Sequence, residues 1–139
     1  MKVEDVMHKG TIYVEPATPV GEIARLMRDD DIGAIPVKVN KQLVGIVTDR
    51  DITCRALADS GNVATKTAKD VMTKDVVCCS ADDDVEAAIE VMEAKQIRRL
   101  AVTDGHKTLV GMLSLGDISH KVSKNLSGEA LRAVSAHHA

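Results

Sequence analysis

One short pattern occurs twice in the chain and combines residue types that suit a nucleotide. A glycine and two apolar residues precede a hydroxyl residue, and an aspartate follows three positions later. A strand glycine leaves the backbone open to a close ligand, and a hydroxyl with free N–H groups at a helix start can meet a phosphate. The aspartate can accept both hydroxyls of a ribose. The residues are Gly45, Thr48 and Asp51 in the first copy and Gly111, Ser114 and Asp117 in the second.

The same spacing also has a purely structural interpretation. A hydroxyl residue followed three positions later by an acid forms a capping box, which closes the first turn of a helix. This interpretation accounts for the helix but leaves the two glycines unexplained, because glycine in a strand costs stability unless something approaches closely. On spacing alone the two interpretations are equally supported.

An internal duplication positions the two patterns. Asp5-Val6-Met7 recurs as Asp70-Val71-Met72, and the matches continue in register up to the hairpin turn and, after one inserted residue there, through the rest of both copies. Each copy predicts the order β-α-β-β-α, which assigns residues 1–62 and 63–122 to two repeats and residues 123–139 to a partly helical tail. Neither copy alone covers both faces of its three-stranded sheet. We therefore expect an α+β fold in which two pseudo-twofold-related repeats pack sheet to sheet.

Local signals place the elements within each copy. Thr18 and Asp83 are predicted N-caps, the first followed by a proline and the second with Glu86 three residues on. Further helices are predicted over Arg50–Asp59 and from Leu115 onward. The predicted strands are Thr11–Val14, Ala34–Val39 and Leu43–Val47, then Val76–Cys79, Leu100–Thr103 and Leu109–Leu113. In the tail, the apolar residues Val122, Leu126, Ala130, Leu131 and Val134 are expected to pack on the core or on a partner.

Composition excludes several classes of function. The 139 residues contain one aromatic ring and carry a net charge of −3, so we expect no nucleic-acid or anionic-lipid partner. With no membrane-spanning run and no secretory signal, a cytoplasmic location is expected. Cys54, Cys78 and Cys79 are expected to be reduced and buried like small hydrophobes, and no spacing indicates a metal site.

Taken together, these features resemble the tandem cystathionine-β-synthase (CBS) domain pair, or Bateman module. The resemblance rests on the duplicated unit, the Asp-Val-Met segment, the Ile35-Pro36-Val37 run and both glycine-to-aspartate patterns, and it extends from about Val3 to His120. It implies a regulatory module that binds AMP, ADP, ATP, NAD(H) or S-adenosylmethionine in clefts between the repeats. It also implies a homodimer that signals by conformational change to a regulated protein.

The resemblance further implies two crossed sites. Arg98 and Arg99 occupy a place where family members that bind phosphorylated ligands carry basic residues, and Arg forks suit phosphate oxygens. We therefore expect phosphorylated ligands at the Asp51 site, and weak binding, vacancy or an uncharged adenosyl end at the Asp117 site. The alternative is that these arginines are solvated or pair with the acid runs at 29–31 and 82–84. The first site combines Thr48, Arg50, Asp51, Met72, Val77, Ile97, Arg98 and Arg99; the second combines Met7, Ile12, Ile32, Gly33, Ser114 and Asp117.

Two other classes of function compete with a sensor. An enzyme is not expected, because the chain has no Walker loop, G-x-S-x-G elbow, H-E-x-x-H motif or Cys/His nucleophile pair. A ligand-independent dimerisation scaffold is the stronger rival, since a fold does not guarantee a ligand. The acid in both copies argues against the scaffold, which has no need of it.

Overall fold

The computed structural model describes residues 1–10, 12–59 and 62–135, which belong to two compact units. The terminal unit, which holds both chain ends, consists of Met1–Gly10 and Val77–Ala139. The central unit consists of Thr11–Val76. In chain order the elements are α1 Val3–Val6, β1 His8–Lys9, α2 Val20–Asp30, β2 Ala34–Val39, β3 Gln42–Thr48, α3 Asp49–Asp51, a π-helix Ile52–Leu57, a 3-10 turn Val63–Thr65, α4 Ala68–Val71, β4 Cys78–Ser80, α5 Val85–Lys95, β5 Arg99–Thr103, β6 Leu109–Ser114, α6 Leu115–Lys121 and α7 Lys124–Ser135.

These units are divided differently from the predicted repeats 1–62 and 63–122. The opening segment belongs with the second copy, because the α1 residues Val3 and Val6 are buried in the core of the terminal unit. Conversely, Ala68 and Val71 of α4 are buried in the core of the central unit. Each short helix has too few apolar residues to form a core of its own, and it contributes them to the unit that its backbone joins.

The central unit is built around the β2–β3 hairpin. Asn40 and Lys41 form its two-residue turn, and both have positive φ (48° and 71°), as a turn matched to the twist of a hairpin requires. Helix α2 presents an apolar stripe to the same core. The fully buried side chains of this unit include Val20, Ile23, Ile35, Val37, Val47 and Val71.

The terminal unit contains a four-stranded sheet in the order β1-β6-β5-β4. Strands β5 and β6 form the predicted hairpin, β1 is antiparallel to β6, and β4 is parallel to β5. The predicted three-stranded sheet thus gains β1 from the opening segment. Helix α7 closes the core with Ala130 and Val134, whereas Leu131 of the predicted stripe is exposed.

Both predicted N-caps are displaced by one residue. Helix α2 starts at Val20, and the hydroxyl of Thr18 instead accepts the N–H of Glu15 at 3.1 Å. Helix α5 starts at Val85, and Asp83 instead accepts the N–H of Ser80 at 2.9 Å. The side chains predicted as caps therefore close the turns before the helices.

Three further element predictions differ from the structure. The strand predicted at Thr11–Val14 is reduced to one bridge between Val14 and Val37, and Thr11 lies outside the described residues. The strand predicted at Val76–Cys79 is observed as β4, which starts and ends later in the sequence. It comprises Cys78–Ser80, the residues that pair with β5. The helix predicted over Arg50–Asp59 begins as α3 and continues as a π-helix, in which the Ala58 N–H donates to the Thr53 carbonyl at 3.1 Å.

Candidate functional site

The Asp51 centre, in the central unit, begins as a complete capping box at the end of β3. The N–H of Thr48 donates to Oδ2 of Asp51 at 2.9 Å, and the N–H of Asp51 donates to Oγ1 of Thr48 at 3.1 Å. The capping box that the structural interpretation of the spacing expected is therefore present. It engages only one of the two carboxylate oxygens.

The second oxygen of Asp51 also faces partners within the central unit. Thr73 donates its hydroxyl to Oδ1 at 3.4 Å, and Nε of Arg55 lies 3.8 Å from the same oxygen. Asp51 is only 8% exposed, and no other charged residue is buried in the part of the chain that the structure describes. These contacts supply the charge compensation that a buried carboxylate needs.

Arg55 extends this network to the end of helix α4. Its Nη1 donates to the carbonyls of Met72 at 3.1 Å and Val71 at 3.4 Å. Neither Arg55 nor Thr73 was among the sequence-predicted site residues. The available signals were the i, i+4 spacing from Asp51 to Arg55 and the position of Thr73 directly after the repeated Asp-Val-Met segment.

The Asp117 centre, in the terminal unit, has the same capping box with fewer contacts. The N–H of Ser114 donates to Oδ2 of Asp117 at 2.9 Å, and the N–H of Asp117 donates to the Ser114 hydroxyl at 3.0 Å. Among the described residues, none donates to Oδ1 of Asp117. Lys121, which corresponds to Arg55, donates instead to the backbone carbonyl of Asp5 at 3.0 Å. This carboxylate is half-buried and has one oxygen without a partner from the described chain.

The two strand glycines admit the chain itself, and not the ligand that the nucleotide-binding interpretation of the pattern expected. A Cβ on Gly45 would lie 2.5 Å from Sδ of Met72 and 3.1 Å from the Thr73 carbonyl oxygen. A Cβ on Gly111 would lie 2.7 Å from the His8 carbonyl oxygen and 2.9 Å from Sδ of Met7. Each glycine is required because the segment after α1 or α4 crosses its strand at close range.

The apolar residues proposed to surround an adenine share one property. Each is half-buried, so that it contributes to a unit and still offers surface to a ligand. Five of them pack against the core of the unit in which they lie. The residues are Ile12, Ile32 and Met72 in the central unit and Met7, Val77 and Ile97 in the terminal unit.

The arginines predicted to contact phosphate are exposed. Nη2 of Arg98 lies 3.5 Å from the Ser135 hydroxyl of α7. Arg50 and Arg99 are also exposed, and within the described ranges none of the three forms an ion pair with the acid runs. The described ion pairs of the chain join Arg28 to Asp29 and Arg55 to Asp51.

The predicted site residues are divided between the two units. Thr48, Asp51 and Met72 lie together in the central unit, where Gly33 also belongs, because its carbonyl accepts the Asp49 N–H at 3.0 Å. In the terminal unit, the carbonyl of Arg98 likewise accepts the N–H of Leu115 at 2.9 Å, beside Ser114. The crossed grouping of each aspartate with residues of the other repeat stays a prediction.

The cysteines and histidines add no metal cluster within the described residues. Cys79 is buried as expected, and burial raises its pKa to about 12, whereas Cys54 and Cys78 are exposed, contrary to the prediction. In residues 1–10, 12–59 and 62–135, no three His, Cys, Asp or Glu side chains are grouped in a way that could hold a metal ion. None of the helices described in these ranges has the length and apolar character needed to cross a bilayer.

Comparison with known proteins identifies the repeated unit. The model of the CBS domain matches residues 3–56 and again residues 68–124. An inosine-5'-monophosphate dehydrogenase from Methanocaldococcus jannaschii is 42% identical over 118 residues, which cover 84% of this chain but only 23% of that enzyme. The CBS domain-containing protein YhcV of Bacillus subtilis is 35% identical over 134 residues, which cover 96% of this chain and 94% of YhcV.

Solved structures share the fold, which confirms the predicted α+β class with two such repeats. The CBS domain protein TA0289 from Thermoplasma acidophilum has a TM-score of 0.84 at 24% identity, covering 96% of this chain and 75% of that one. CBSX2, solved in complex with AMP, has a TM-score of 0.76 at 25% identity, covering 86% and 93%. The domain pair of MJ0100, solved with 5'-methylthioadenosine and S-adenosyl-L-methionine, has a TM-score of 0.78 at 28% identity, covering 86% and 98%.

Proposed function

Because the chain belongs to the CBS domain family, we propose that it is a regulatory module that binds adenosine derivatives at Asp51 and Asp117. The candidate ligands are AMP, ADP, ATP, NAD(H) and S-adenosylmethionine. Binding signals to a regulated protein by conformational change, in a homodimer in the cytoplasm. We propose no catalytic activity, since the relation to the dehydrogenase covers about a quarter of that enzyme.

One observation carries this proposal. At both centres the capping box uses Oδ2 of the aspartate, so the cap fixes the carboxylate in place without consuming its second oxygen. An ionised carboxylate offers about four acceptor positions, which leaves room for the two hydroxyls of a ribose at Asp117, whereas at Asp51 the Thr73 hydroxyl and Nε of Arg55 also face the second oxygen. The structural and ligand-binding interpretations of the repeated pattern are therefore compatible.

The adenosyl ligands of the related structures support the same chemistry. CBSX2 was solved with AMP and MJ0100 with two adenosyl compounds, all of which carry a ribose diol and an adenine. In this chain, half-buried aliphatic and thioether side chains such as Met7 and Met72 would contact the adenine. The exposed guanidinium groups of Arg50, Arg98 and Arg99 form no described ion pair, and we infer that they contact a phosphate and favour phosphorylated ligands.

Calorimetric titration and thermal unfolding with AMP, ATP, NAD and S-adenosylmethionine test the proposal. A ligand that binds the native state raises the unfolding temperature, and at a hundred times its Kd it stabilises by about 2.7 kcal/mol. Asp117→Asn keeps the cap acceptor but removes the charge, and we expect it to weaken binding at its centre at least tenfold.

Asp70→Asn is the matched control. Asp70 also forms a capping box, in which its Oδ2 accepts the N–H of Thr67 at 2.9 Å, but it lies outside the repeated glycine-to-aspartate pattern. Binding should survive this change. Absence of binding by every adenosyl compound, or equal affinity in Asp117→Asn, Asp51→Asn and the wild type, would overturn the proposal.

A ligand-independent dimerisation scaffold is the second candidate. The contacts of Asp51 with Thr73 and Arg55 favour it, because they complete that carboxylate without a ligand. Sedimentation analysis distinguishes the two functions. A scaffold dimerises with the same affinity whether or not the four adenosyl compounds are present, and none of them raises its unfolding temperature.

A further inference from the structure

The two aspartate centres differ in what holds their second oxygen. At Asp51, Oδ1 faces the Thr73 hydroxyl and Nε of Arg55, whereas none of the described residues donates to Oδ1 of Asp117. The difference follows from the sequence. His8 occupies the position that corresponds to Thr73, and Lys121 occupies the position that corresponds to Arg55. The second oxygen of Asp51 is therefore held by its own chain, whereas the second oxygen of Asp117 has no donor among the described residues.

Thr73 lies on the segment by which the chain leaves the central unit. Its N–H donates to the Ile46 carbonyl at 2.9 Å, and its own carbonyl accepts the Ile46 N–H at 3.0 Å. This one antiparallel bridge holds the segment on β3, and Val76 ends the central unit three residues later. The side chain of Thr73 therefore connects the Asp51 carboxylate directly to the exit of the unit.

Arg55 reinforces the same connection. Its Nη1 donates to the carbonyls of Val71 and Met72, the two residues that precede Thr73, while its Nε faces Oδ1 of Asp51. One guanidinium therefore lies against both the Asp51 carboxylate and the end of α4. Lys121, with its single point charge on the Asp5 carbonyl, makes no such bridge to Asp117 among the described contacts.

A ribose diol at Asp51 must compete with these groups. Of the acceptor positions on the carboxylate, the Thr48 N–H takes one on Oδ2, and Thr73 and Arg55 face Oδ1. The first ribose hydroxyl can use the remaining position on Oδ2. The second hydroxyl needs Oδ1, and it can approach only if the Thr73 hydroxyl gives way.

Resting on the function proposed above, we propose that Thr73 and Arg55 are positioning residues that make the Asp51 centre the signalling one. A ribose bound at Asp51 displaces the Thr73 hydroxyl and loosens the exit segment from β3. A ribose bound at Asp117 displaces no donor among the described residues and leaves its unit unchanged. Occupancy of the two centres thus has different consequences although their motifs match.

The test isolates the Asp51 centre with Asp117→Asn and uses AMP and S-adenosylmethionine as probes. In this background Thr73→Val removes the competing hydroxyl without changing the shape of the side chain, and we expect Kd to fall about fivefold, the value of roughly one hydrogen bond. Arg55→Lys keeps a cation for the Val71 and Met72 carbonyls but removes Nε, and it should also tighten binding. Thr73→Ser, which restores a hydroxyl, should return Kd to its starting value.

The control and the second readout separate positioning from a merely structural role. Thr53→Val removes a hydroxyl of the same unit whose described hydrogen bond is to the Asp49 carbonyl, at 3.1 Å, and it should leave Kd unchanged. Amide hydrogen exchange at Thr73 and Ile46 should accelerate when AMP binds the Asp117→Asn protein, and should not change when AMP binds Asp51→Asn.

Each contrary outcome has a distinct meaning. If the Asp117→Asn protein binds neither probe while the wild type does, Asp51 takes no ribose, and this inference fails while the proposed function survives at Asp117. The inference also fails if Thr73→Val and Arg55→Lys leave Kd within twofold, or if exchange at Thr73 is unaffected by ligand. Failure of the wild type to bind any adenosyl compound overturns the proposed function itself.

Discussion

Replacing Gly111 by alanine tests how closely the opening segment crosses strand β6. The added Cβ would lie 2.7 Å from the His8 carbonyl oxygen, and that carbonyl belongs to strand β1, which pairs with β6. A backbone oxygen in a paired strand cannot rotate away as a side chain can. The same replacement at Gly45 meets Sδ of Met72 first, at 2.5 Å, and the Thr73 carbonyl oxygen only at 3.1 Å.

The expected destabilisation follows from two opposing terms. Overpacking of a filled site costs about 1–3 kcal/mol, and alanine recovers about 0.4–1 kcal/mol by restricting the unfolded chain. Gly111→Ala belongs at the upper end of the first range, because strand β1 must move, which leaves a net loss of about 2 kcal/mol. Gly45→Ala should cost about 1 kcal/mol, since the flexible Met72 side chain can turn aside.

Denaturant unfolding, supported by thermal unfolding, measures both variants. Gly105→Ala and Gly128→Ala are the controls, because a Cβ at either position meets nothing within 4 Å. Gly128→Ala lies within helix α7 and should stabilise by up to about 1 kcal/mol. Met72→Ala should relieve part of the penalty of Gly45→Ala in a double-mutant cycle.

Met7→Ala should not relieve Gly111→Ala in the same way, because the His8 carbonyl remains in place. A Gly111→Ala protein as stable as the wild type would contradict this prediction. Strand β1 would then not cross Gly111, and the space above that glycine would again be available to a ligand.

Three further predictions concern the local chemistry of the chain. Ser114→Ala should lower the free energy of unfolding by about 1 kcal/mol in denaturant titration, because helix α6 loses its N-cap acceptor. Iodoacetamide at neutral pH should modify exposed Cys54 well before Cys79, whose pKa is raised to about 12 by burial, and mass spectrometry should find equal rates only after denaturation. The Thr108 and His106 N–H groups lower the pKa of Asp104 below 3.8, so its contribution to stability is present above that pH and is lost as the pH falls through the folded value. Asp104→Asn should therefore lose less stability than the wild type on acidification from pH 5 to pH 3.

Periodicity and local turn chemistry predicted much of the fold. The β2–β3 and β5–β6 hairpins and the helices α2 and α5 depend on patterns within a few residues, and each is observed. The caps at Thr18 and Asp83 were wrong by one residue, since an acid or hydroxyl before a helix can equally close the preceding turn. The sequence spacing is the same for a helix cap and for a preceding turn, so it cannot distinguish between them.

Contacts between distant segments could not be predicted in this way. No local pattern says that Met1–Gly10 joins the second copy, so the spacing could not show that Met7 and Met72 fill the space beside the glycines. The aspartates and their caps were visible as a spacing of three residues. The partner of Asp51 that lies 22 positions away, Thr73, became visible only with the structure.

The opening segment of each sequence repeat packs in the unit of the other repeat, and this limits which fragments of the protein can fold alone. Residues 63–139, expressed alone as the second repeat, would lack β1 and the buried side chains Val3 and Val6. Strand β6 would then present an unpaired edge, which is a template for another chain. We expect such a fragment to pair this edge with a strand of a neighbouring molecule and to form linear oligomers. A circular permutant that begins at residue 77 and joins residue 139 to Met1 would instead keep each core on one continuous stretch of polypeptide.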